Sequence, residues 1–303
     1  MGKRDKFAYV ILHYNTTDDT VACVNSIDKH MDGEQHDIII VDNKSPNGSG
    51  QTVKEMFEGR KDVHVILNDS NIGFARGNNV GFRYAKYELQ ADYIVLLNSD
   101  TLILHDNFQS TVTEAYDKHG YAVIGPRVLI PTAPYQSNPL ASGLPSLRHV
   151  IWHMCLLSVN LAIAYTPFTG WAHRNLGTSD EKRAEVKKRE LEKHTVTEEG
   201  VVLCGAFLIF TPAYISMFDG LDDRTFLYGE EQLLFLRCRQ NGLTMAFLPT
   251  IEIMHNEGSS TSSMNFKDIA RHKRFTHKHI IYSRYLLARE MVRERLFRKV
   301  TDR

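Results

Sequence analysis

Residues able to do chemistry stand where apolar runs stop. Tyr93-Ile94-Val95-Leu96-Leu97 is followed at once by Asn98-Ser99-Asp100-Thr101. Such an apolar run predicts a strand buried on both faces, with the polar triplet at its carboxyl end. In open α/β sheets that end is where ligands bind. Asp100 is therefore placed to hold a hard cation, which takes oxygen ligands. Asn, Ser and Asp also favour turns and helix caps, so the triplet alone leaves both roles open. Asp42-Asn43-Lys44-Ser45 follows a similar run from Asp37 to Val41, and Asn68 follows Val63-His64-Val65-Ile66-Leu67.

The elements that position these loops repeat. Phe7 to Leu12 predicts a strand, His13-Tyr14-Asn15-Thr16 a loop, and about Asp18 to His30 a helix. Further helices are expected around Gln51 to Phe57 and Gly77 to Tyr87, each between two strands. This alternation indicates βαβ units and a parallel sheet. With right-handed crossovers, the loops after Leu12, Val41, Leu67 and Leu97 open on one edge.

The 303 residues suffice for a large core, and 43% hydrophobic with 24% charged residues is ordinary for a soluble globular chain. Net charge is zero, yet Lys267 to Arg303 holds twelve Lys or Arg against four Asp or Glu. A basic C-terminal element with a separate purpose is expected. Cys23, Cys155, Cys204 and Cys238 form no C-x-x-C pair and read as reduced thiols. The charged stretch Met1 to Lys6 leads directly into a strand, without a secretory signal pattern, so a cytoplasmic catalytic part is expected.

His13-Tyr14-Asn15, Val41-Asp42-Asn43-Lys44-Ser45, Asn71-Ile72-Gly73-Phe74-Ala75-Arg76-Gly77-Asn78-Asn79-Val80-Gly81 and Leu97-Asn98-Ser99-Asp100-Thr101 together resemble the ordered motifs of family 2 glycosyltransferases, especially the bacterial rhamnosyltransferase-like branch. The resemblance spans about Phe7 to Arg127 and resumes from Val201 to Ser260. It implies a GT-A fold, an α/β Rossmann-like architecture with a mostly parallel central sheet and flanking helices. It also implies a nucleotide-sugar donor, UDP- or dTDP-linked, and a divalent metal, Mg²⁺ or Mn²⁺. His13, Asn15, Asp42, Asn71, Gly73, Arg76 and Asn98 then fall at donor-binding positions. Asp42 would accept from the base imide N–H, although capping the next turn is its other reading. Glycine at 73 allows close backbone approach to the ligand, and Arg76 can pair with a phosphate through two parallel hydrogen bonds. Asn98-Ser99-Asp100 matches the family's Asp-x-Asp metal motif with Asn98 in place of an aspartate, which makes Asp100 the stronger ligand.

In the second half, Val201 to Phe210 predicts another buried strand resembling the family's Gly-Ala-Phe segment. Tyr228-Gly229-Glu230-Glu231-Gln232-Leu233 matches the family's Glu-Asp segment, with Leu233 where a further acid is common. An acceptor hydroxyl needs a general base, and the resemblance puts Glu231 at the catalytic position, with Glu230 as the alternative. Both also suit a helix N-terminus, where negative charge is worth about 0.3–1 kcal/mol. Ile251 to Ser260 resembles the family's His-x-x-Gly-x-Ser segment, making His255 a metal contact or a donor to the leaving diphosphate. The loop Gly258 to Ser263 is expected to close over the donor.

Between the halves, Val150 to Tyr165 is strongly apolar but shorter than the roughly 20 residues a membrane span needs. A buried or interfacial helix is expected, with Trp152, Tyr165, Phe168 and Trp171 suited to a bilayer edge or an acceptor groove. Ser179 to His194 reads as a solvated surface helix. From about Phe266 a basic helix with Ile281, Tyr285, Val292 and Leu296 near one face suits an anionic membrane surface or internal packing. Nucleic acid is not an expected partner, since no binding motif is present. The expected organisation is a nucleotide-sugar-binding half over residues 1–130, a membrane- or acceptor-facing insertion over 131–200, a catalytic and acceptor half over 201–264 and the basic helical segment over 265–303. The expected activity is an inverting transfer to a glycan or lipid-linked acceptor, in bacterial surface-polysaccharide assembly at the inner face of the cell membrane. A sugar nucleotidyltransferase would need a Gly-rich basic triphosphate loop, which His13 to Thr16 does not resemble. A non-catalytic donor-binding scaffold is the remaining rival.

Overall fold

Alternate residues of the first strand enter different cores. In β1 (Phe7–His13), Phe7, Tyr9 and Ile11 join one buried cluster, while Ala8 and Val10 join another. Side chains of a strand point to opposite faces, so two clusters mean helices cover both faces of one sheet. The computed structural model describes residues 5–31, 33–131, 137–166, 194–256 and 269–301.

The expected alternation is present. β1 leads to α1 (Thr17–His30), β2 (His36–Asp42), α2 (Ser49–Met56), β3 (Val63–Leu67) and α3 (Phe74–Arg83), the last continued by a π-helical turn at Tyr84–Glu88. β4 (Tyr93–Asn98), β5 (Thr101–Ile103), α4 (Phe108–His119) and β6 (Val123–Leu129) follow. α1 shows why these segments are helical: Thr20, Cys23, Val24 and Ile27 recur at helical spacing and are the residues it buries. The remaining elements are α5 (Leu147–Ile163), β7 (Glu198–Glu199), β8 (Phe207–Phe210), α6 (Pro212–Ile215), α7 (Glu230–Gln240), β9 (Met245–His255) and α8 (Ile269–Thr301).

The strands form one sheet in the order β3-β2-β1-β4-β8-β6-β9-β5, with β7 also on β9. β3, β2, β1 and β4 are mutually parallel. Beyond β4 the sheet is mixed, since β8 runs antiparallel to both β4 and β6 while β6 and β9 are parallel. The strand expected over Val201 to Phe210 starts only at Phe207. Its first part is held instead by the preceding loop: Leu140 N–H donates to Val202 O, Val202 N–H to Ala141 O, and Cys204 N–H to Asn138 Oδ1, each at 2.8–2.9 Å.

α5 and α8 pack on one another beside α7, through Val150, Leu233, Leu236, Leu286, Leu287 and Met291. Leu233, the departure from the family's acidic pattern, is thus an anchor for this helical layer. The apolar residues noted on α8 are not the ones that form its packing face. Tyr285, Val292 and Leu296 are exposed, whereas the packing face is Ser283, Leu286, Leu287 and Met291. No helix among the described residues is long and apolar enough to cross a membrane. The expectations for Phe168, Trp171, the bulk of Ser179 to His194 and the loop Gly258 to Ser263 lie outside the described residues.

Candidate active site

The carboxyl ends of the parallel strands do open on one cavity, of about 530 Å³. Asn71, Gly73, Asn98, Glu230, Glu231 and His255 line it, so six of the residues singled out from sequence meet there. Asn43 organises its first wall. Its Nδ2 donates to Asn71 Oδ1 and Gly73 O, both at 3.1 Å, and its Oδ1 accepts from Ile72 N–H at 3.1 Å. Gly73 has φ +90°, and a Cβ there would stand 2.4 Å from Phe226 O, which accepts Phe74 N–H at 2.8 Å. That close approach excludes any side chain at 73 and fastens this loop to the segment preceding α7.

Other predicted residues stand behind the wall. His13 is fully buried, its ring nitrogens 2.7 Å from Thr20 Oγ1 and 2.8 Å from Ser49 Oγ. Burial holds its imidazole below the ordinary range, against an opposing pull from Asp42. Asp42 accepts from Ser45 N–H at 3.1 Å and Ser45 Oγ at 2.5 Å, capping the turn into α2. Asn15 adopts φ +65°, donates its N–H to Ser45 Oγ and leaves its buried Oδ1 without a hydrogen bond. Arg76 is turned away from the cavity: its Nε donates to Asp223 O at 2.8 Å, and it lines a neighbouring groove with Phe226 and Lys278.

Asp100 and His255 are brought together by strand register. β5 pairs with β9 so that Thr101 faces His255, and Asp100 O accepts Asn256 N–H. His255 Nε2 lies 3.1 Å from Asp100 Oδ1. Asp100 Oδ1 and His255 Nδ1 are both buried without a hydrogen-bond partner. Buried polar atoms are normally satisfied, and a carboxylate beside an imidazole is a donor set that fits a divalent cation. A second group, Asp28, His36 and Asp62, lies within metal-ligand reach of one another. It stands at the opposite strand ends, and Arg60 already forks onto both carboxylates, so a cation there would have to displace a guanidinium.

The far wall is the first turn of α7. Gly229 caps it with φ +87°, and Glu230 and Glu231 follow, where free backbone N–H groups favour negative charge. Glu230 is buried, accepts from Thr225 Oγ1 at 2.9 Å, and is pushed up to about 7, first by burial and then by the neighbouring Glu231. Burial also raises Glu231, opposed by backbone N–H groups and by Arg284. A Cβ on Gly205 would approach Glu231 Oε1 to 3.0 Å, which accounts for the small residue beneath this carboxylate.

α8 closes the cavity with Ile280, Ser283, Arg284 and Leu287, and α5 contributes His153. In the sequence Asn43 stands only within a motif and Arg284 only as one charge of a basic tail. Nothing in the sequence singles out His153 or Phe226 as lining residues. Only Asn43 carried a usable signal, as the residue after the second strand's terminal Asp.

Residues 9–163, just over half of the chain, match glycosyl transferase family 2. The low-salt glycan biosynthesis hexosyltransferase Agl10 of Haloferax volcanii is 20% identical over 84% of this chain and 68% of its own length. Glycosyltransferase GlyG of Streptococcus pneumoniae is 28% identical over 38% of this chain and 37% of its own. Among solved structures, S. aureus TarS 1-349 in complex with UDP-GlcNAc superposes with a TM-score of 0.51 at 16% identity, covering 93% of this chain and 66% of that one. GalNAc-T7 with UDP, GalNAc and Mn²⁺ superposes with a TM-score of 0.53 at 14% identity, covering 84% and 44%. These likenesses establish the GT-A arrangement of sheet and helices. The chain belongs to glycosyl transferase family 2.

Proposed function

We propose that this protein transfers a hexose from a UDP- or dTDP-sugar to a hydroxyl of a glycan or lipid-linked acceptor, with inversion, in assembly of a surface polysaccharide. The observation that carries the reading is the single cavity in which Glu230 and Glu231 face Asn71, Gly73, Asn98 and His255. The names of Agl10, a hexosyltransferase in glycan biosynthesis, and of TarS in complex with UDP-GlcNAc support the donor class.

Asn71, Gly73 and Asn98 hold the nucleotide sugar, and Asn43 fixes the loop that does so. Asp42 and His13 act from behind, by setting the two loops at the ends of β1 and β2. Asp100 and His255 would hold a divalent cation, which would offset charge on the leaving nucleoside diphosphate. Glu231 accepts the proton of the acceptor hydroxyl, whose oxygen forms the new glycosidic bond as the sugar-phosphate bond opens on the opposite face. Its burial raises its basicity above that of an ordinary carboxylate, which favours general-base work near neutral pH. Glu230 stays in reserve as a buried, partly protonated neighbour. Exposed Ile151, Trp152, Leu156 and Val159 on α5, with the basic α8, support a peripheral place on an anionic membrane.

The test is donor turnover. Wild-type protein with Mn²⁺ and a panel of UDP-, dTDP- and GDP-sugars should release nucleoside diphosphate from one nucleotide class. Glu231→Gln should lose about 10²–10⁴ of that rate while still binding the nucleotide. Equal turnover in Glu231→Gln and wild type would remove Glu231 from the chemistry; no turnover with any donor would favour a binding scaffold.

A further inference from the structure

Arg284 is an exception among the arginines. Arg60, Arg127, Arg224, Arg237, Arg274 and Arg289, which like it are partly buried, each donate to a carboxylate or a carbonyl. Arg284 makes neither a hydrogen bond nor an ion pair among the described residues, although it lines the cavity wall between Ile280 and Leu287. Its side chain is partly buried, which lowers its proton affinity, and its charge is left for a group in the cavity to answer. Its place is fixed all the same. Leu286 and Leu287 are buried against Leu233 and Leu236 of α7, and Ser283 packs on Gly229, where an added Cβ would stand 2.8 Å from Ser283 Cβ.

Arg284 shares its cavity wall with other titratable side chains. Glu231 on α7 and His153 on α5 line that cavity with it. Glu231 and Arg284 face the same space but make no ion pair, which leaves room between them for a ligand group.

We infer that Arg284, with His153 beside it, is an anion subsite at the acceptor end of the cavity, so that the acceptor carries a phosphate or carboxylate group close to the hydroxyl that is glycosylated. The inference rests on the reading of Glu231 as the base that marks the acceptor end. A guanidinium can fork onto two oxygens of such a group, fixing the neighbouring hydroxyl in orientation as well as in place. The raised Glu231 carboxylate then faces an ion-paired Arg284 once the acceptor is bound.

The test separates the two ends. Full-length protein is saturated with UDP and Mn²⁺, and the melting temperature is followed as glycerol 1-phosphate, glucuronate or uncharged glycerol is added. UDP stabilisation of the wild type reads the donor end alone, so its absence counts against the transferase reading and leaves the anion arms to be read without it. The inference predicts stabilisation by glycerol 1-phosphate or by glucuronate and none by glycerol, with whichever anion acts identifying the acceptor's charged group. Arg284→Ala should weaken that anion about tenfold or more, and Arg284→Lys less. Arg284→Met keeps the aliphatic stem packed between Ile280 and Leu287, and serves if the alanine variant melts without a cooperative transition. Failure of both anions to stabilise the wild type, or equal affinity in a folded Arg284→Ala or Arg284→Met, would overturn the inference.

Discussion

Glu230 and Glu231 are adjacent, share a helix turn and differ in surroundings. Both line the cavity, but Glu230 accepts a hydrogen bond from Thr225, while Glu231 lies over Gly205. A carboxyl raised to about 7 in the fold binds a proton that the unfolded chain, near 4.5, has already lost. Between those values the native state holds more protons, so stability falls as pH rises through the window and the penalty is complete above about 7. The full effect is on the order of 3 kcal/mol. Glu230→Gln keeps an oxygen to accept from Thr225, so its melting temperature should exceed that of the wild type at pH 8 and the gap should close by pH 4.5. Calorimetry across that range checks this. The raised Glu231 likewise predicts that kcat/KM for transfer falls on the acid side with a midpoint above the ordinary carboxylate range.

At the scale of elements, the site depends on two loops being held together by backbone. Gly73 with φ +90° lies against Phe226 O, so Gly73→Ala meets both an unfavourable backbone region and a clash. It should cost about 1–3 kcal/mol and raise the KM for the donor, read by denaturant unfolding and by steady-state kinetics. β1 to β4 were legible because buried parallel strands are continuous apolar runs that stop at polar loops. α5 was legible as an apolar segment too short to span. The start of β8 was not, because Val201 to Cys204 is apolar enough for a strand yet finds its hydrogen bonds on residues 138–141, a contact far away in the chain. For the same reason Arg284 read only as tail charge: nothing local shows that α8 folds back over α7. Asp100 and His255 were each visible as polar residues at strand ends, but their meeting depends on the β5–β9 register.

Across the whole molecule, the loops at the carboxyl ends of β1 to β4, the acidic first turn of α7 and the α5–α8 layer enclose one cavity. The outward side of that layer exposes Trp152 and Val159 on α5 and Tyr285 and Leu296 on α8. Apolar side chains beside the basic charges of α8 suit a bilayer with anionic headgroups. Sedimentation with phosphatidylglycerol vesicles should therefore carry the protein down, more weakly at high salt and more weakly still for Trp152→Glu. The central proposal is that Asp100 and His255 would hold a divalent cation needed for binding the nucleotide. The most direct measurement is thermal stabilisation by UDP with and without Mn²⁺, in wild type and in Asp100→Asn, which keeps the shape of the side chain. The account predicts a shift that needs Mn²⁺ in the wild type and is lost or much reduced in Asp100→Asn. An equal Mn²⁺-dependent shift in both proteins would contradict it.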